Sequence, residues 1–390
     1  MSLVVVGASG NIAHVAQSLS SEVVFVQRPG SLRPEILRDD VDELFSFDYR
    51  DESAARSFAA QVLQPRRPAA VVSVTEDGLE PAALMSGILG TPAVPLAVVR
   101  AMRDKAKMRR VLLERAPHLS VPFAGPGDDK ALERLFPSAY GVIAKPVSGT
   151  ASSGILLVRS AEEAQALPAR DQYLFEAFVP GAEFSVESFS VDGVHEIVAV
   201  AEKSTGGGFV ETAHLMPPAA LDGTARVQVE QATRELLDAL ELRDGPAHTE
   251  LKVHDGTVRV IETHNRPGGD GIADLVALTT GIDWRRVSLG WPLGVRPTRG
   301  TGTAAAAANV FFTAPPGRVT AIADRPATLP GADLARWEVD VVVGGRVGEL
   351  HSSGDRVGMA TVTGPSSEAC RRAVAELGPD TIVTTEDTVQ

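Results

Sequence analysis

Three short apolar runs near the start of the chain constrain the fold most strongly. Residues 3–6, 22–26 and 69–74 are rich in valine, and stretches with helical character separate them. Apolar strands that alternate with helices are typical of a parallel sheet that is buried on both faces and wound as βαβ units. The sequence therefore predicts an α/β fold that begins with a Rossmann-like domain over residues 1–95. Pro92 and Pro95 interrupt the helical pattern at its end.

The length of the chain predicts its number of domains, and its net charge argues against some classes of binding partner. At about 150 residues per domain, a length of 390 residues predicts two or three domains. The net charge of −13 opposes a sequence-independent grip on nucleic acid or on an anionic membrane. There is one cysteine, Cys370, and no basic leader or long apolar run. We expect a cytoplasmic protein with no nucleic-acid or membrane partner, and none of these features excludes a homodimer.

A glycine turn follows the first strand. Gly7 and Gly10 lie between a strand and a helix, where backbone amides can hold a phosphate. A dinucleotide site would need an acid at the end of the second strand, but Gln27 and Arg28 stand there. Because Arg28 suits the extra phosphate of NADP, an NADP-dependent oxidoreductase remains an alternative. We favour a tight turn that binds no nucleotide.

Two lysines in the middle of the chain are candidate phosphate ligands. Lys105 follows Asp104 at the start of a basic helix, and Lys145 ends an apolar strand just before the small-residue loop 148–154. A compact ammonium suits a phosphate oxygen, and a loop without bulk can close its amides over phosphates. The alternative is two solvated surface lysines, which accounts poorly for a lysine that ends an apolar strand.

Two glutamates flank a predicted hairpin turn. Asp255 and Gly256 are a strong hairpin signal, and Glu250 and Glu262 are nearly equidistant from them. The two carboxylates should therefore lie almost opposite each other on about the same face, where they repel unless a cation lies between them. Oxygen ligands of this kind suit Mg²⁺ in ATP sites. The hairpin predicts a site for Mg²⁺ or Mn²⁺, with a protonated pair as the alternative.

These features, in this order, resemble the ATP-grasp superfamily of carboxylate–amine ligases over roughly residues 1–300. The stretch EAFVPGAEFSVE at 176–187 completes the resemblance. Two further stretches, AEKSTGGGFVETAHLMP at 201–217 and IETHNRPGGD at 261–270, look like L-amino-acid ligases, which join two amino acids or similar small molecules. The resemblance implies an acyl phosphate formed from ATP and a carboxylate, which an amine then converts to an amide with release of ADP and phosphate.

The resemblance also implies the domain plan. A two-part ATP-clamping unit would span residues 96–175 and 176–299, and a small α+β domain would span 300–390. The alanine-rich tract 300–308 looks like the linker between the last two. A bicarbonate-using or purine-pathway ligase is the rival within the superfamily.

The resemblance implies ATP-binding residues, carried over position by position. The backbone at Ala177 and Val179 would read the adenine edge, and Glu183 would accept hydrogen bonds from the ribose hydroxyls. The full set of implied cofactor-binding residues is Lys105, Lys145, Ser148, Gly149, Ser153, Gly154, Glu176, Ala177, Val179 and Glu183.

The metal shell departs from the commoner pattern of the family. That pattern has asparagine two positions after the second glutamate, where this chain has His264, followed by Asn265. Glu250 and Glu262 would be ligands in either case. We favour Asn265 over His264 as the third, because an amide oxygen suits Mg²⁺ better than an imidazole does.

The substrate residues are likewise implied by the resemblance. Arg266 would hold the substrate carboxylate and the charge that develops at the acyl centre, and it would share the catalytic role with Lys145. Gly268 and Gly269 would let the backbone approach the substrate.

In the loop after the triple glycine, Glu211 would pair with a substrate ammonium and His214 with a carboxylate or phosphate. A bicarbonate-using ligase would need no such acid, so a role for Glu211 discriminates between the two readings. The implied substrate residues are Glu211, His214, Arg266, Gly268 and Gly269.

Overall fold

The structure is a computed structural model that describes residues 2–8, 10–31, 43–147, 153–206 and 209–386. The described helices are α1 (Gly10–Leu19), α2 (Glu52–Phe58), α3 (Gln64–Arg66), α4 (Leu79–Leu89), α5 (Leu96–Arg103), α6 (Lys105–Arg115), α7 (Asp129–Glu133), α8 (Ala161–Gln165), α9 (Gly223–Ala239), α10 (Ile272–Thr280), α11 (Trp284–Gly290) and α12 (Ser367–Leu377). Within these ranges, no helix is both long enough and apolar enough to cross a membrane.

The strands form four sheets. The first half of the chain contributes β1 (Ser2–Val6), β2 (Glu22–Gln27), β3 (Glu43–Ser46), β4 (Ala70–Val72), β5 (Phe123–Ala124), β6 (Val142–Pro146), β7 (Leu156–Val158), β8 (Tyr173–Ala177), β9 (Ala182–Val191) and β10 (Val194–Thr205). The second half contributes β11 (Glu211–Met216), β12 (Gly245–His254), β13 (Thr257–His264), β14 (Ala306–Phe312), β15 (Gly317–Ile322), β16 (Asp333–Val339), β17 (Arg346–Val347), β18 (Gly358–Gly364) and β19 (Val383–Glu386).

The N-terminal sheet is parallel, which confirms the predicted βαβ winding. Its strand order is β3-β2-β1-β4, and each neighbouring pair runs in the same direction. Strand β1 is buried along its whole length, because apolar clusters cover both faces of the sheet. The carboxyl end of β4 leads into the turn that carries Glu76.

Two antiparallel sheets follow. The smaller has the order β5-β8-β6-β7 and carries Lys145 near the end of β6. The larger has eight strands in the order β13-β12-β9-β10-β11-β14-β18-β16. A third antiparallel sheet, β17-β15-β19, packs in the last part of the chain. The domain boundaries given above stay predictions.

The prediction of a linker is wrong for the last three residues of the alanine-rich tract 300–308. Ala306, Ala307 and Ala308 belong to β14, which is fully buried and lies between β11 and β18 in the large sheet. Helices α10 and α12 both pack against this strand. Small side chains let both helices approach the strand closely, so a composition that suggests a linker serves a crowded core position here.

The basic helix that the sequence predicts from Lys105 is α6, and a separate helix, α5, precedes it. Asp104 lies between α5 and α6 in an extended conformation, and its side chain accepts a hydrogen bond from the Lys107 backbone amide. Aspartate is favoured as an N-cap because it satisfies an amide that has no partner within the helix. The break places Lys105 at the first position of α6, where its side chain turns toward the cavity described next.

Candidate active site

A cavity of about 340 Å³ lies between the small and the large antiparallel sheets. Strands β6 and β8 form one wall, while β9 to β13 form the other. The turn after β4 and Ser353 of the C-terminal part also reach it. Most of the described residues predicted for the site line this cavity: Lys105, Lys145, Ser153, Glu176, Ala177, Val179, Glu183, Glu211, His214, Glu250, Glu262, His264, Arg266 and Gly269.

One buried carboxylate orders the cations beside the small sheet. Glu176 lies 2.8 Å from the Lys145 ammonium and 2.5 Å from Nε of Arg109. Burial alone would raise the pKa of Glu176, but the charges of Arg109 and Lys145 outweigh it and hold the pKa at about 2. Arg109 also donates to the carbonyl oxygens of Val260 and Ile261, so it joins the small sheet to β13.

The adenine hinge predicted from the resemblance lines the same cavity. The amide of Ala177 donates to the carbonyl of Pro122 at 2.9 Å, so this amide is engaged within the protein. Glu183 lies 3.3 Å from Lys203 and 3.5 Å from Lys252. The hinge therefore offers a ligand the carboxylate of Glu183, held between two cations.

The loop that follows Lys145 is described only in part. Ser148 and Gly149 lie outside the described residues. Ser153 lines the cavity. Gly154 has a φ of +73°, and a Cβ there would lie 3.0 Å from the ring of Pro146, so a side chain is disfavoured at this position.

The two predicted carboxylates pair directly across the hairpin. Glu250 is the register partner of Glu262, and an irregularity between Glu250 and Leu251 shifts the register by one position. The turn at Asp255 and Gly256 has positive φ at both residues, as a two-residue type I′ turn requires. This confirms the predicted hairpin and the predicted pairing of the two glutamates.

Each of these carboxylates contacts one lysine and one histidine. Glu250 lies 2.5 Å from Lys203 and 3.2 Å from His248, while Glu262 lies 2.9 Å from Lys105 and 3.3 Å from His264. Burial would raise the pKa of both carboxyls, but the adjacent lysine and histidine together outweigh it and hold each pKa well below the ordinary range. Both side chains are therefore anionic at neutral pH.

The donor chemistry fits a hard divalent cation. Two anionic carboxylates face one cavity, and the lysines that contact them supply the positive charge that such a pair requires. Over the described ranges, no group of three or more His, Cys, Asp or Glu side chains is arranged to hold a metal ion. A divalent ion between these two carboxylates would therefore need further oxygen ligands from elsewhere, as Mg²⁺ at a nucleotide takes them from phosphate and water.

The structure separates the two candidates for the third ligand. His264 lines the cavity and lies between Glu262 and Glu76. Burial would lower the pKa of His264, but these two carboxylates raise it above its ordinary value. Asn265 is not among the described residues that line the cavity, and its Oδ1 is buried without a hydrogen-bond partner there. His264 is the last residue of β13, whereas Asn265 lies just beyond the strand.

Lys203 was not expected in the site. Its ammonium lies within 3.3 Å of three carboxylates, those of Glu183, Glu211 and Glu250. Only 3% of its side chain is exposed, and the three carboxylates overcome the effect of burial and raise its pKa well above the ordinary value. The feature of the sequence that could have indicated a role for Lys203 is its position on the buried face of a long strand. Lys203 connects the residues predicted to bind ribose, amine and metal.

Glu76 was also not expected. It lies 2.6 Å from Nε of Arg266, 3.0 Å from Arg103 and 3.2 Å from His264. Burial would raise the pKa of Glu76, but His264 and Arg266 outweigh it and hold the pKa far below its ordinary value. An acid directly after a strand of a parallel sheet was the available signal, since ligands bind at the carboxyl ends of such strands.

The predicted amine end of the cavity is built from both the large sheet and the C-terminal part. Glu211 accepts a hydrogen bond from Ser353 at 3.0 Å, and the nearby Arg356 forms a two-pronged ion pair with Asp270. Burial lowers the pKa of His214 to about 3, helped by the charge of Lys203. Both ring nitrogens of His214 are buried without a hydrogen-bond partner among the described residues. His214 is therefore a neutral imidazole that lines the cavity and could exchange hydrogen bonds with a ligand.

The two glycines after Arg266 differ in their surroundings. A Cβ on Gly268 would lie 2.7 Å from His248 and 2.8 Å from Glu187, so protein side chains fill the space that Gly268 leaves. A Cβ on Gly269 would meet nothing within 4 Å, and Gly269 lines the cavity. Of the two, Gly269 thus presents open backbone to a substrate.

The N-terminal glycine turn packs against the protein itself. Gly7 has a φ of +68°, and a Cβ there would lie 2.3 Å from Oγ1 of Thr75. Arg28 pairs with Asp77 at 3.1 Å, and Gln27 donates to the carbonyl of Ala8. The turn therefore serves close packing, which is the interpretation favoured above over an NADP site.

Comparison with protein families gives two matches. The ATP-grasp domain matches residues 164–274, and the L-amino acid ligase C-terminal domain 2 matches residues 310–379. The alanine–anticapsin ligases of Bacillus amyloliquefaciens and Bacillus subtilis are 27% and 26% identical to this chain over 178 residues. Each similarity covers 38% of this chain and 38% of the relative, so it spans well under half the length of these curated relatives.

Solved structures are similar over almost the whole chain. An L-amino acid ligase from Bacillus licheniformis superposes with a TM-score of 0.78 at 23% identity, covering 99% of this chain and 98% of that one. Phosphoribosylglycinamide synthetase from Anaerococcus prevotii gives 0.73 at 15% identity, with 99% of each chain covered. N5-carboxyaminoimidazole ribonucleotide synthetase from Thermus thermophilus gives 0.70 at 18% identity, covering 97% and 98%.

These similarities agree with the α/β architecture. At such low identities, the solved structures establish a common fold and nothing finer. The two family matches are more specific, because they identify the domain that carries the glutamate hairpin and the domain that carries Arg356. The chain therefore combines a segment that matches an ATP-grasp domain with a C-terminal segment that matches a domain of the L-amino acid ligase type.

Proposed function

We propose that this protein is an ATP-dependent carboxylate–amine ligase that joins two amino-acid-like substrates. The observation that carries the proposal is one cavity lined by two buried lysines, two paired anionic carboxylates and Arg266. In the reaction, a substrate carboxylate oxygen bonds to the γ-phosphorus of ATP, and the bridging oxygen leaves with ADP. The amine nitrogen then bonds to the acyl carbon, the phosphate leaves, and the nitrogen loses its proton.

Lys105 and Lys145 would contact the phosphate groups of ATP. Both are largely buried, and each is held by a carboxylate, Glu262 for Lys105 and Glu176 for Lys145. Fixed cations at a buried site stabilise charge that develops during phosphoryl transfer, without reorganisation at the moment of reaction. Ser153, with Ser148, Gly149 and Gly154 of the same loop, would cover the phosphates.

The adenosine would lie along β8 and the start of β9. The backbone amide of Ala177 already donates a hydrogen bond to the carbonyl of Pro122. A contact of the Ala177 backbone with the adenine edge would therefore be through its carbonyl oxygen. Val179 would supply the second backbone contact. Glu183 offers acceptor oxygens to the two ribose hydroxyls, which are donors.

Glu250 and Glu262 would hold Mg²⁺ or Mn²⁺. Both carboxylates are anionic and line the cavity, and Glu262 contacts Lys105, one of the proposed phosphate ligands. A bound divalent ion would supply positive charge at the bridge between the β- and γ-phosphates. The protein's own part is to keep the two carboxylates paired and ionised. Lys203 and His248 contact Glu250 for this purpose, and Lys105 and His264 contact Glu262.

The amine and carboxylate substrates would meet near Arg266. Its guanidinium would hold the substrate carboxylate and the charge on the acyl oxygen. Glu211 would pair with a substrate ammonium, while the neutral His214 would exchange hydrogen bonds with the same substrate. Open backbone at Gly269 borders this space. Amino-acid-like substrates also agree with the L-amino acid ligase type of the C-terminal domain.

A screen of amino-acid pairs for phosphate release tests the proposal. The purified chain is incubated with ATP, Mg²⁺ and pairs of amino acids, and products are identified by mass spectrometry. We expect phosphate release only with pairs that also yield an amide, because a closed site shields the acyl phosphate from water. Phosphate release with bicarbonate, but with no amino-acid pair, would instead support the rival ligase class.

The third metal ligand can be assigned by two substitutions. We expect Asn265→Ala to leave the Mg²⁺ concentration for half-maximal activity unchanged within about twofold, because Asn265 does not line the cavity. We expect His264→Asn to lower that concentration several-fold, since it removes a cation beside Glu262 and adds an oxygen donor. A titration of activity with Mg²⁺ measures both, and a large effect of Asn265→Ala alone would restore Asn265 as the ligand.

A further inference from the structure

An acid from the N-terminal sheet fixes the guanidinium of Arg266. Glu76 follows β4, whereas Arg266 follows β13 of the large sheet. The Nε of Arg266 donates to Oε2 of Glu76 at 2.6 Å, and its Nη1 donates to the carbonyl of Pro267 at 2.8 Å. Both Glu76 and Arg266 line the cavity.

These two hydrogen bonds determine which edge of the guanidinium a ligand can use. A guanidinium has five N–H donors in a planar fork. Glu76 takes the single donor on Nε, and Pro267 takes one donor on Nη1. Among the described residues, none accepts from Nη2 of Arg266. A substrate carboxylate would therefore bind across the two terminal nitrogens.

Glu76 is itself firmly placed. Its Oε1 lies 3.0 Å from Arg103 and 3.2 Å from His264, and 14% of its side chain is exposed. Arg103 also pairs with Glu80 at 2.9 Å, one helical turn along the chain. Arg103, His264 and Arg266 thus surround Glu76, and a mostly buried carboxylate that accepts hydrogen bonds from two arginines orients its partners strongly.

We infer that Glu76 is a positioning residue that aims Arg266 at the substrate carboxylate, an inference that rests on the proposed ligase function. Glu76 acts through Arg266 and does not itself touch the reacting atoms. The N-terminal sheet thereby contributes a residue to a site that otherwise lies between the small and the large antiparallel sheets. Without Glu76, the long side chain of Arg266 regains rotamers that turn its terminal nitrogens away from the acyl centre.

The kinetic test uses Glu76→Ala, Glu76→Gln and the matched control Glu80→Ala. We expect Glu76→Ala to lower kcat/KM for the carboxylate substrate by at least about tenfold, with KM for ATP changed less than about twofold. Glu76→Gln keeps an acceptor oxygen for Nε and should lose less. Glu80→Ala removes the other acid that contacts Arg103, and it should keep wild-type kinetics. Thermal unfolding of each variant verifies the fold.

A double-mutant cycle tests whether Glu76 acts through Arg266. Residues that act as a unit have non-additive effects, so Glu76→Ala should add less than about twofold to the loss caused by Arg266→Lys. Multiplicative losses, or an equal rise in KM for ATP, would overturn the inference while leaving the proposed function in place. Absence of amide from the wild-type protein with every amino-acid pair would instead contradict the proposed function.

Crystal structures of the variants decide the inference without any activity. In Glu76→Ala, the Arg266 guanidinium should leave the position it has in the wild-type protein, and in Glu80→Ala it should stay. An unmoved guanidinium in Glu76→Ala would overturn the positioning role, whatever reaction the protein catalyses.

Discussion

Replacing Lys145 with alanine should lower kcat for amide formation by about a hundredfold or more, while the protein stays folded. The substitution removes a fixed cation from the proposed phosphate site, a loss that electrostatic stabilisation of phosphoryl transfer makes large. The fold should survive because Glu176, the buried partner of Lys145, keeps its contact with Arg109. Steady-state kinetics with saturating substrates and thermal unfolding measure the two effects.

The control for Lys145 is an exposed lysine on a helix that contacts the same small sheet. Lys130→Ala removes a cation from α7, away from the cavity, and should keep wild-type kcat. If Lys145→Ala retains more than about a tenth of wild-type kcat, the barrier has risen by less than about 1.4 kcal/mol. A change that small would show that Lys145 does not stabilise the transferred phosphoryl group.

Replacing Glu262 with glutamine should have an effect of similar size. The amide keeps the shape of the side chain but removes the negative charge that would hold the divalent ion. Glu250 remains, paired with Lys203, so the fold should persist while kcat falls by about a hundredfold or more. Raising the Mg²⁺ concentration should recover part of the loss, which a merely structural defect would not show.

Glu196→Gln is the matched control for Glu262. Glu196 lies on β10 of the same large sheet, but its side chain is exposed, so the substitution should not change kcat or the Mg²⁺ dependence. Activity of Glu262→Gln above about a tenth of wild type, at low Mg²⁺ concentration, would contradict the metal-ligand assignment.

Local signals in the sequence predicted much of this site. The hairpin follows from a two-residue turn, because the turn determines which residues lie opposite each other. Asp255 and Gly256 thus place Glu250 beside Glu262 within one residue of register. The parallel N-terminal sheet follows from its apolar strands in the same way. Both predictions needed only residues that are close in sequence.

Long-range contacts were not predictable from the sequence. Glu76 and Arg266 come together only after two separate sheets dock, and no local period encodes that docking. Lys203 shows the same difficulty, because its three carboxylate partners come from three other strands. The sequence around Lys203 does not show that three acids surround it in the folded protein, so it looks like an ordinary charged residue.

The reach of the C-terminal part into the site was missed for a different reason. Ser353 and Arg356 contact Glu211 and Asp270, yet neither stands in a recognisable motif. The preceding alanine-rich strand resembled a linker, which suggested a separate small domain. In the structure, β14 continues the large sheet, and this continuity brings the C-terminal residues to the cavity.

The nucleotide product of amide formation tests the central claim most directly. Lys105, Lys145, Glu250 and Glu262 are proposed to act at the terminal phosphates, so the γ-phosphoryl group should be transferred. Chromatography of a reaction that forms a known amount of amide should yield one ADP and one orthophosphate for each bond. AMP with pyrophosphate as the main product would mean attack at the α-phosphorus, and it would contradict the proposed mechanism.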